Sequence, residues 1–523
     1  MADHLAIEIE VGLAVQGDVL DLLAHGGLRQ KMQTGKTSLF ARARLEWAPM
    51  NSLFRTLSFA LLFPLAQTGC AAGLPHAVDE AIARHKADRD ALGIWVQAVD
   101  SSEPILAWNE DEPQNPASVM KLVTTAAALD ILGPAYTWPT DAYVTAPIKN
   151  GVLQGDLVLK GYGNPMFQTE DLWKLLRGLR EKGIKNIQGD LVLDNTFFNP
   201  PPEDPAAFDG QPYKPYNALP DALLLNQRAT RFVFQPDPAS GKVMVASDPP
   251  APGVRIENRI TASRKSCAGS DLPDMHVAST GQGAVVEFVG SYALDCGTRD
   301  LYRVVAEPQD MMLGAFRSLW EELGGQFKGD VRIGSTPAGA RKIDSIDSRP
   351  LADVIRPMNK WSSNVMTRQV LLTLSAEQFG PPGNPDKGQR AIDYWLGTQG
   401  FQWPEFVLGN GSGLSRESRI SARHLGELLM HVYSSPYMPE FTASLPVAGV
   451  DGTVRKRMKH EEIAGRAHLK TGTLNGVRAV AGYVLSRSGR RYVVVTLHNQ
   501  PGVENGIGSR VQDALLKWVY EQP

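Results

Sequence analysis

Ser118 and Lys121 stand three residues apart at the head of an apolar run, Leu122-Val123-Thr124-Thr125-Ala126-Ala127-Ala128-Leu129. On a helix that spacing puts hydroxyl and amine on one face. A serine hydroxyl attacks an acyl carbon only when a base takes its proton. A lysine can be that base only when its amine is neutral, so its pKa must fall well below the usual ~10.4. Burial and a second nearby cation lower it. The pair therefore reads as nucleophile and base of an acyl transfer, against the blander reading of a capped helix with a solvent-facing lysine. It is the only Ser-x-x-Lys in the chain.

Two further clusters carry polar groups suited to the same chemistry. In Trp361-Ser362-Ser363-Asn364, a serine can relay a proton and an amide can hold a substrate amide. Taken singly it reads more readily as an N-cap serine pair opening a helix. In Lys470-Thr471-Gly472-Thr473, the lysine is a cation and the threonines are hydroxyl donors. The glycine lets a substrate lie close to the backbone. The set suits a carboxylate on an extended peptide that pairs with a strand edge; the plain alternative is a turn before a strand.

These residues need elements to hold them. Asn115 suits the N-cap of the Ser118 helix, and Pro116 its first position. The apolar run that follows implies a helix inside a core. Residues 77–90 read as an amphipathic helix, and 94–99 with 104–108 as a hairpin. Gly155-Asp156-Leu157-Val158-Leu159 recurs as Gly189-Asp190-Leu191-Val192-Leu193. Between the copies, Leu172, Leu175, Leu176 and Leu179 share a helical face, which makes a strand–helix–strand unit. Residues 199–220 read as a loop, and 148–335 as a mainly β insertion. Helical patterns follow at 311–323, 351–374 and 420–433, the last opened by Ser418 or Ser421. Strands at 477–485 and 491–498 and a helix at 508–520 close the chain.

At 523 residues the chain holds two or three domains. A net charge of −3 without a basic stripe argues against nucleic acid as a partner. Residues 1–49 carry no targeting pattern and read as an upstream extension. Residues 50–72 read as a secretory signal: Arg55 supplies positive charge, 56–66 are apolar, and Gly69-Cys70-Ala71-Ala72 are small. That run is too short to span a bilayer, so no transmembrane segment is expected in the mature chain. Gly69-Cys70 hints at a lipid-anchoring site, but Gln67 stands where leucine is usual. Of the three cysteines, Cys267 and Cys296 would remain after export. They are expected to form a disulfide around a loop of roughly 30 residues, two buried thiols being the alternative. No stretch has metal-ligand spacing, because His460-Glu461-Glu462 lacks a second histidine. Thr34-Gly35-Lys36-Thr37 lacks the earlier glycine of a phosphate loop, and Gly161-Tyr162-Gly163 lacks the third glycine of a dinucleotide site.

Ser-x-x-Lys, Ser-x-Asn and Lys-Thr-Gly in that chain order form the pattern of penicillin-binding proteins and serine β-lactamases. The chain resembles the low-molecular-mass class C penicillin-binding proteins, the D-alanyl-D-alanine carboxypeptidase/endopeptidase family. The interval of about 240 residues between Ser118 and Ser362 suits a family with inserted domains there. Asn410-Gly411-Ser412-Gly413-Leu414-Ser415-Arg416 and Leu445-Pro446-Val447-Ala448-Gly449-Val450-Asp451-Gly452-Thr453 are similar to stretches of that family. Asn410 replaces its usual aspartate, and Ser363 stands where aspartate is common.

The resemblance implies an α+β, serine β-lactamase/transpeptidase-like domain, an antiparallel sheet flanked by helices. Residues 73–147 and 336–523 would form it, around an insertion at 148–335. It implies a periplasmic serine carboxypeptidase or endopeptidase acting on peptidoglycan stem peptides, acylated by β-lactams and needing neither metal nor cofactor. Ser118, Lys121 and Ser362 would be catalytic; Asn364, Lys470, Thr471, Gly472 and Thr473 would bind substrate. Asp221 is a candidate for the amino end of a stem side chain. A β-lactamase or esterase on the same fold and a silent wall-binding module are the rivals; no Glu-x-x-Leu-Asn stretch supports a class A β-lactamase.

Overall fold

The structure is a computed structural model that describes residues 73–267, 272–280 and 283–523. The expected upstream extension and the whole of the expected signal segment lie outside the described residues.

A five-stranded antiparallel sheet joins strands from near the two ends of the described residues. Its order is Ala467–Leu474, Val477–Leu485, Arg491–Asn499, Leu92–Ala98 and Pro104–Trp108. Leu92 stands opposite His498 and Ala98 opposite Tyr492, so the expected N-terminal hairpin completes a C-terminal sheet. Alternation along the strands divides two cores. Val480, Val484 and Val494 pack under the helices His76–His85 and Ile507–Tyr520. Ala479, Ala481, Tyr483, Val493 and Val495 face the other way, onto the helices Lys121–Leu132 and Ala422–Ser434. Both faces are covered, so no side of this sheet is left to solvent as antiparallel sheets often leave one.

The helical pattern over 351–374 is two helices, Leu351–Lys360 and Asn364–Phe379. Ser362 breaks it with φ of 59°, a left-handed conformation that costs a non-glycine residue energy. Ser363 then caps the second helix, accepting from the Met366 N–H at 3.4 Å. Ser421 is the N-cap at Ala422–Ser434. The helices Pro385–Thr398 and Met438–Ser444 fall outside the elements expected.

Between these parts the internal echo becomes register. Leu157–Gly161 and Leu191–Asp194 are parallel neighbours with Leu157 opposite Leu191, joined by the helix Thr169–Glu181. Leu172, Leu175, Leu176 and Leu179 are its buried face. Pro139–Val144 and Arg341–Asp347 pair antiparallel in the same sheet, so it begins before residue 148 and ends after 335. A further β module carries the strands Thr230–Asp237 to Arg299–Arg303. It packs Phe232, Phe234, Phe288 and Tyr292 together, and Cys267 and Cys296 form a disulfide there.

Candidate active site

Ser118 sits in a single 3-10 turn, Ala117–Met120, and the α-helix proper starts at Lys121. The serine therefore precedes the helix rather than occupying its first turn. Asn115 is not the N-cap expected of it, since Pro116 holds that position before the turn; its side chain instead accepts from the Ala117 N–H at 2.8 Å and steadies the entry to the turn. It is held in turn by Asn499, whose side chain accepts from the Asn115 N–H at 2.7 Å, and by donation to the Ser415 carbonyl at 2.8 Å. Ala117 has φ of 46°, so the backbone is strained immediately before Ser118. Two glycines press against it. A Cβ on Gly413 would lie 1.8 Å from the Ala117 carbonyl oxygen; one on Gly472 would lie 2.5 Å from that of Pro116. Neither position has room for a side chain.

Lys121 is wholly buried. Its Nζ lies 3.1 Å from Ser118 Oγ, 2.7 Å from Asn364 Oδ1 and 2.6 Å from the Ser412 carbonyl oxygen. Among the described residues no carboxylate pairs with it. Burial first, and the charge of Lys470 second, hold its pKa well below the ordinary lysine value. Nζ donates to the Asn364 and Ser412 oxygens and lies within hydrogen-bond reach of the Ser118 hydroxyl; once it has lost its proton, its lone pair is within reach of the Ser118 hydroxyl proton.

Ser362, presented by the helix break, accepts from Lys470 Nζ at 2.8 Å; Lys470 also donates to the Thr471 carbonyl at 2.9 Å. Burial of Lys470 lowers its pKa to about 7. Lys470-Thr471-Gly472-Thr473 lies within Ala467–Leu474, the outermost strand of the sheet, and not in a turn before a strand. Thr473 Oγ1 accepts from Arg478 Nη1 at 2.5 Å, and the Thr471 and Thr453 hydroxyls are 2.8 Å apart. Asn364 is engaged at both ends: its Nδ2 donates to the Tyr216 carbonyl at 3.0 Å, so it bridges Lys121 to the 199–220 loop. Ser363 turns away, donating to Gln227 Oε1 at 3.1 Å.

Asp221 is committed elsewhere, accepting from Asn195 Nδ2 and the Leu223 N–H, both at 2.8 Å. Asn410 accepts from the Ser412 N–H and hydroxyl while donating to the Leu414 carbonyl at 2.8 Å. A carboxylate could not make that last bond. Sequence reasoning missed the carbonyls of Ser412 and Tyr216, which carry no residue-type signal. It also missed Thr453 and Arg478; Thr453 ends a stretch singled out only by its resemblance.

A two-face-covered antiparallel sheet, a serine–lysine pair at the head of a buried helix, and Lys-Thr-Gly on the sheet's edge define the serine β-lactamase/transpeptidase-like class. A sequence model of the D-Ala-D-Ala carboxypeptidase 3 (S13) family matches residues 74–522, and the chain belongs to that family of serine carboxypeptidases. It is 29% identical over 463 residues to the D-alanyl-D-alanine carboxypeptidase of Actinomadura sp. (strain R39), covering 81% of this chain and 82% of that protein. It is 23% identical to the D-alanyl-D-alanine carboxypeptidase DacB of Haemophilus influenzae, covering 78% and 85%. The crystal structure of penicillin binding protein 4 (dacB) from Haemophilus influenzae superposes with a TM-score of 0.70 at 21% identity, covering 85% of this chain and 99% of that one. A complex of the same protein with a β-lactam gives 0.67.

Proposed function

We propose that Ser118 attacks the carbonyl of the penultimate D-alanine of a peptidoglycan stem peptide while Lys121 takes its proton. The observation that carries this reading is the full burial of Lys121 with its Nζ 3.1 Å from Ser118 Oγ and no carboxylate partner among the described residues, a setting that disfavours the charged amine. Backbone N–H groups of Ser118 and Thr473 receive the oxyanion, each worth about 3 kcal/mol to the transition state. Ser362, fed by Lys470, passes a proton to the leaving amine of D-alanine as the tetrahedral adduct collapses. Lys470, Thr471 and Thr473 bind the terminal carboxylate, and Gly472 lets the peptide lie against the strand. Asn364 holds the substrate amide while keeping Lys121 in place. Water then cleaves the Ser118 ester and releases the shortened stem. A β-lactam acylates Ser118 by the same attack, its ring amide standing for the D-Ala-D-Ala bond.

The site acts in the periplasm after export, on peptidoglycan stem peptides, as a carboxypeptidase or endopeptidase. Fluorescent penicillin is expected to label the wild-type chain and not Ser118→Ala. A penicilloyl-enzyme that persists supports this reading; rapid penicillin turnover would replace it with a β-lactamase, and no labelling with a silent module. Digestion of purified wall fragments, read by mass, separates the two activities: monomers that lose alanine report a carboxypeptidase, and dimers that split report an endopeptidase.

A further inference from the structure

The segment Pro446–Thr453 joins the two halves of the site. Its first part lies along the edge strand: the Leu469 N–H donates to the Pro446 carbonyl at 2.7 Å and the Ala448 N–H to the Ala467 carbonyl at 2.9 Å. This cover stops at Leu469, immediately before Lys470. Its last part reaches the other half. Asp451 accepts from Lys360 Nζ at 2.6 Å through one oxygen and from the Val447 N–H at 2.8 Å through the other. Lys360 is two residues from Ser362. Gly452, with φ of 58°, is so close that a Cβ there would lie 2.6 Å from the Lys360 carbonyl oxygen. The segment ends with the Thr453 hydroxyl 2.8 Å from that of Thr471.

A threonine hydroxyl has one proton to give. If Thr471 spends it on Thr453, none remains for an anion; if it accepts from Thr453, its proton is aimed outward and the bond is polarised in the donating direction. Resting on the reading that Thr471 binds the substrate carboxylate, we propose that Thr453 is a positioning residue that donates to Thr471 Oγ1 and so commits the Thr471 proton to the substrate carboxylate. Asp451 and Lys360 set the reach of Thr453 and tie it to the backbone that presents Ser362. Selection for a C-terminal carboxylate is thereby built partly outside the Lys-Thr-Gly strand.

The test compares Ser118 acylation rates for benzylpenicillin and for its methyl ester, which keeps the reactive ring and lacks the anion. In the full chain, Thr453→Val is expected to slow acylation by the free acid about tenfold and leave the ester rate unchanged. Thr453→Ser, which keeps the donor, restores the free-acid rate. An equal fall for both compounds, or no fall for either, would overturn the proposal, because a structural defect does not distinguish acid from ester. Failure of the wild-type chain to be acylated by either compound would instead overturn the assignment of Ser118.

Discussion

The two buried lysines face each other across one site and are held differently. Lys121 is anchored by an amide oxygen and a backbone carbonyl, with the Ser118 hydroxyl as its third neighbour. Lys470 is anchored by one hydroxyl and the carbonyl of its own neighbour. Both are fully enclosed, yet the cation at Lys470 weighs further on Lys121. The difference is a division of labour. Under the proposed mechanism, the amine that is buried with a cation beside it is the one held uncharged to act as base. The other, poised at about 7, can carry the charge that a carboxylate requires and can pass a proton. Neither has a carboxylate partner among the described residues, so their mutual repulsion is relieved only by losing a proton or by binding an anion.

The largest break in this comparison is to remove the base. Lys121→Met is expected to lower penicillin acylation of Ser118 by about 10³–10⁴. Lys121→Arg, a permanent cation, is expected to do no better, and substantial activity in that variant would deny a neutral base. Lys470→Met is expected to cost less, about 10². Its loss falls mainly on KM for carboxylate-bearing peptides.

Stability sharpens the contrast in the opposite direction. Between pH 7 and 10.5 the unfolded chain holds a proton that folded Lys470 has lost, so stability rises with pH across that window. Lys121→Met and Lys470→Met both remove this cost. Each is expected to melt higher than wild type at pH 7, by about 1 °C per kcal/mol recovered in a chain of this size, with a flatter dependence on pH. A lower melting temperature would mean the lysines are held as satisfied cations. The smallest effect on chemistry is expected far from both. Replacing Cys267 and Cys296 by alanine removes a cross-link worth about 2–4 kcal/mol, and the acylation rate is expected to stay at the wild-type value.

The side chains that meet at the candidate site were legible because their types and spacing suggest a chemistry: Ser118 with Lys121, and Ser362 with Lys470. The echo at Leu157 and Leu191 was legible because parallel neighbours repeat their pattern in register. What escaped was set by backbone and by burial. The sequence over 351–374 is apolar enough for one helix, and nothing in a serine signals a left-handed φ at Ser362. Helix Asn364–Phe379 is buried nearly all round, which erases the periodicity that marks ends. The acceptors on Lys121 and Asn364 include main-chain carbonyls of Ser412 and Tyr216, which any residue could supply.

The central claim is that Lys121 is already neutral when Ser118 attacks, and the pH dependence of penicillin acylation tests it most directly. With its pKa held well below the ordinary lysine value, the rate constant is expected to be level or falling from pH 7 to 9, the fall following deprotonation of Lys470. A rate that instead climbs tenfold per pH unit across that range would report an ordinary lysine losing its proton, and would contradict the account.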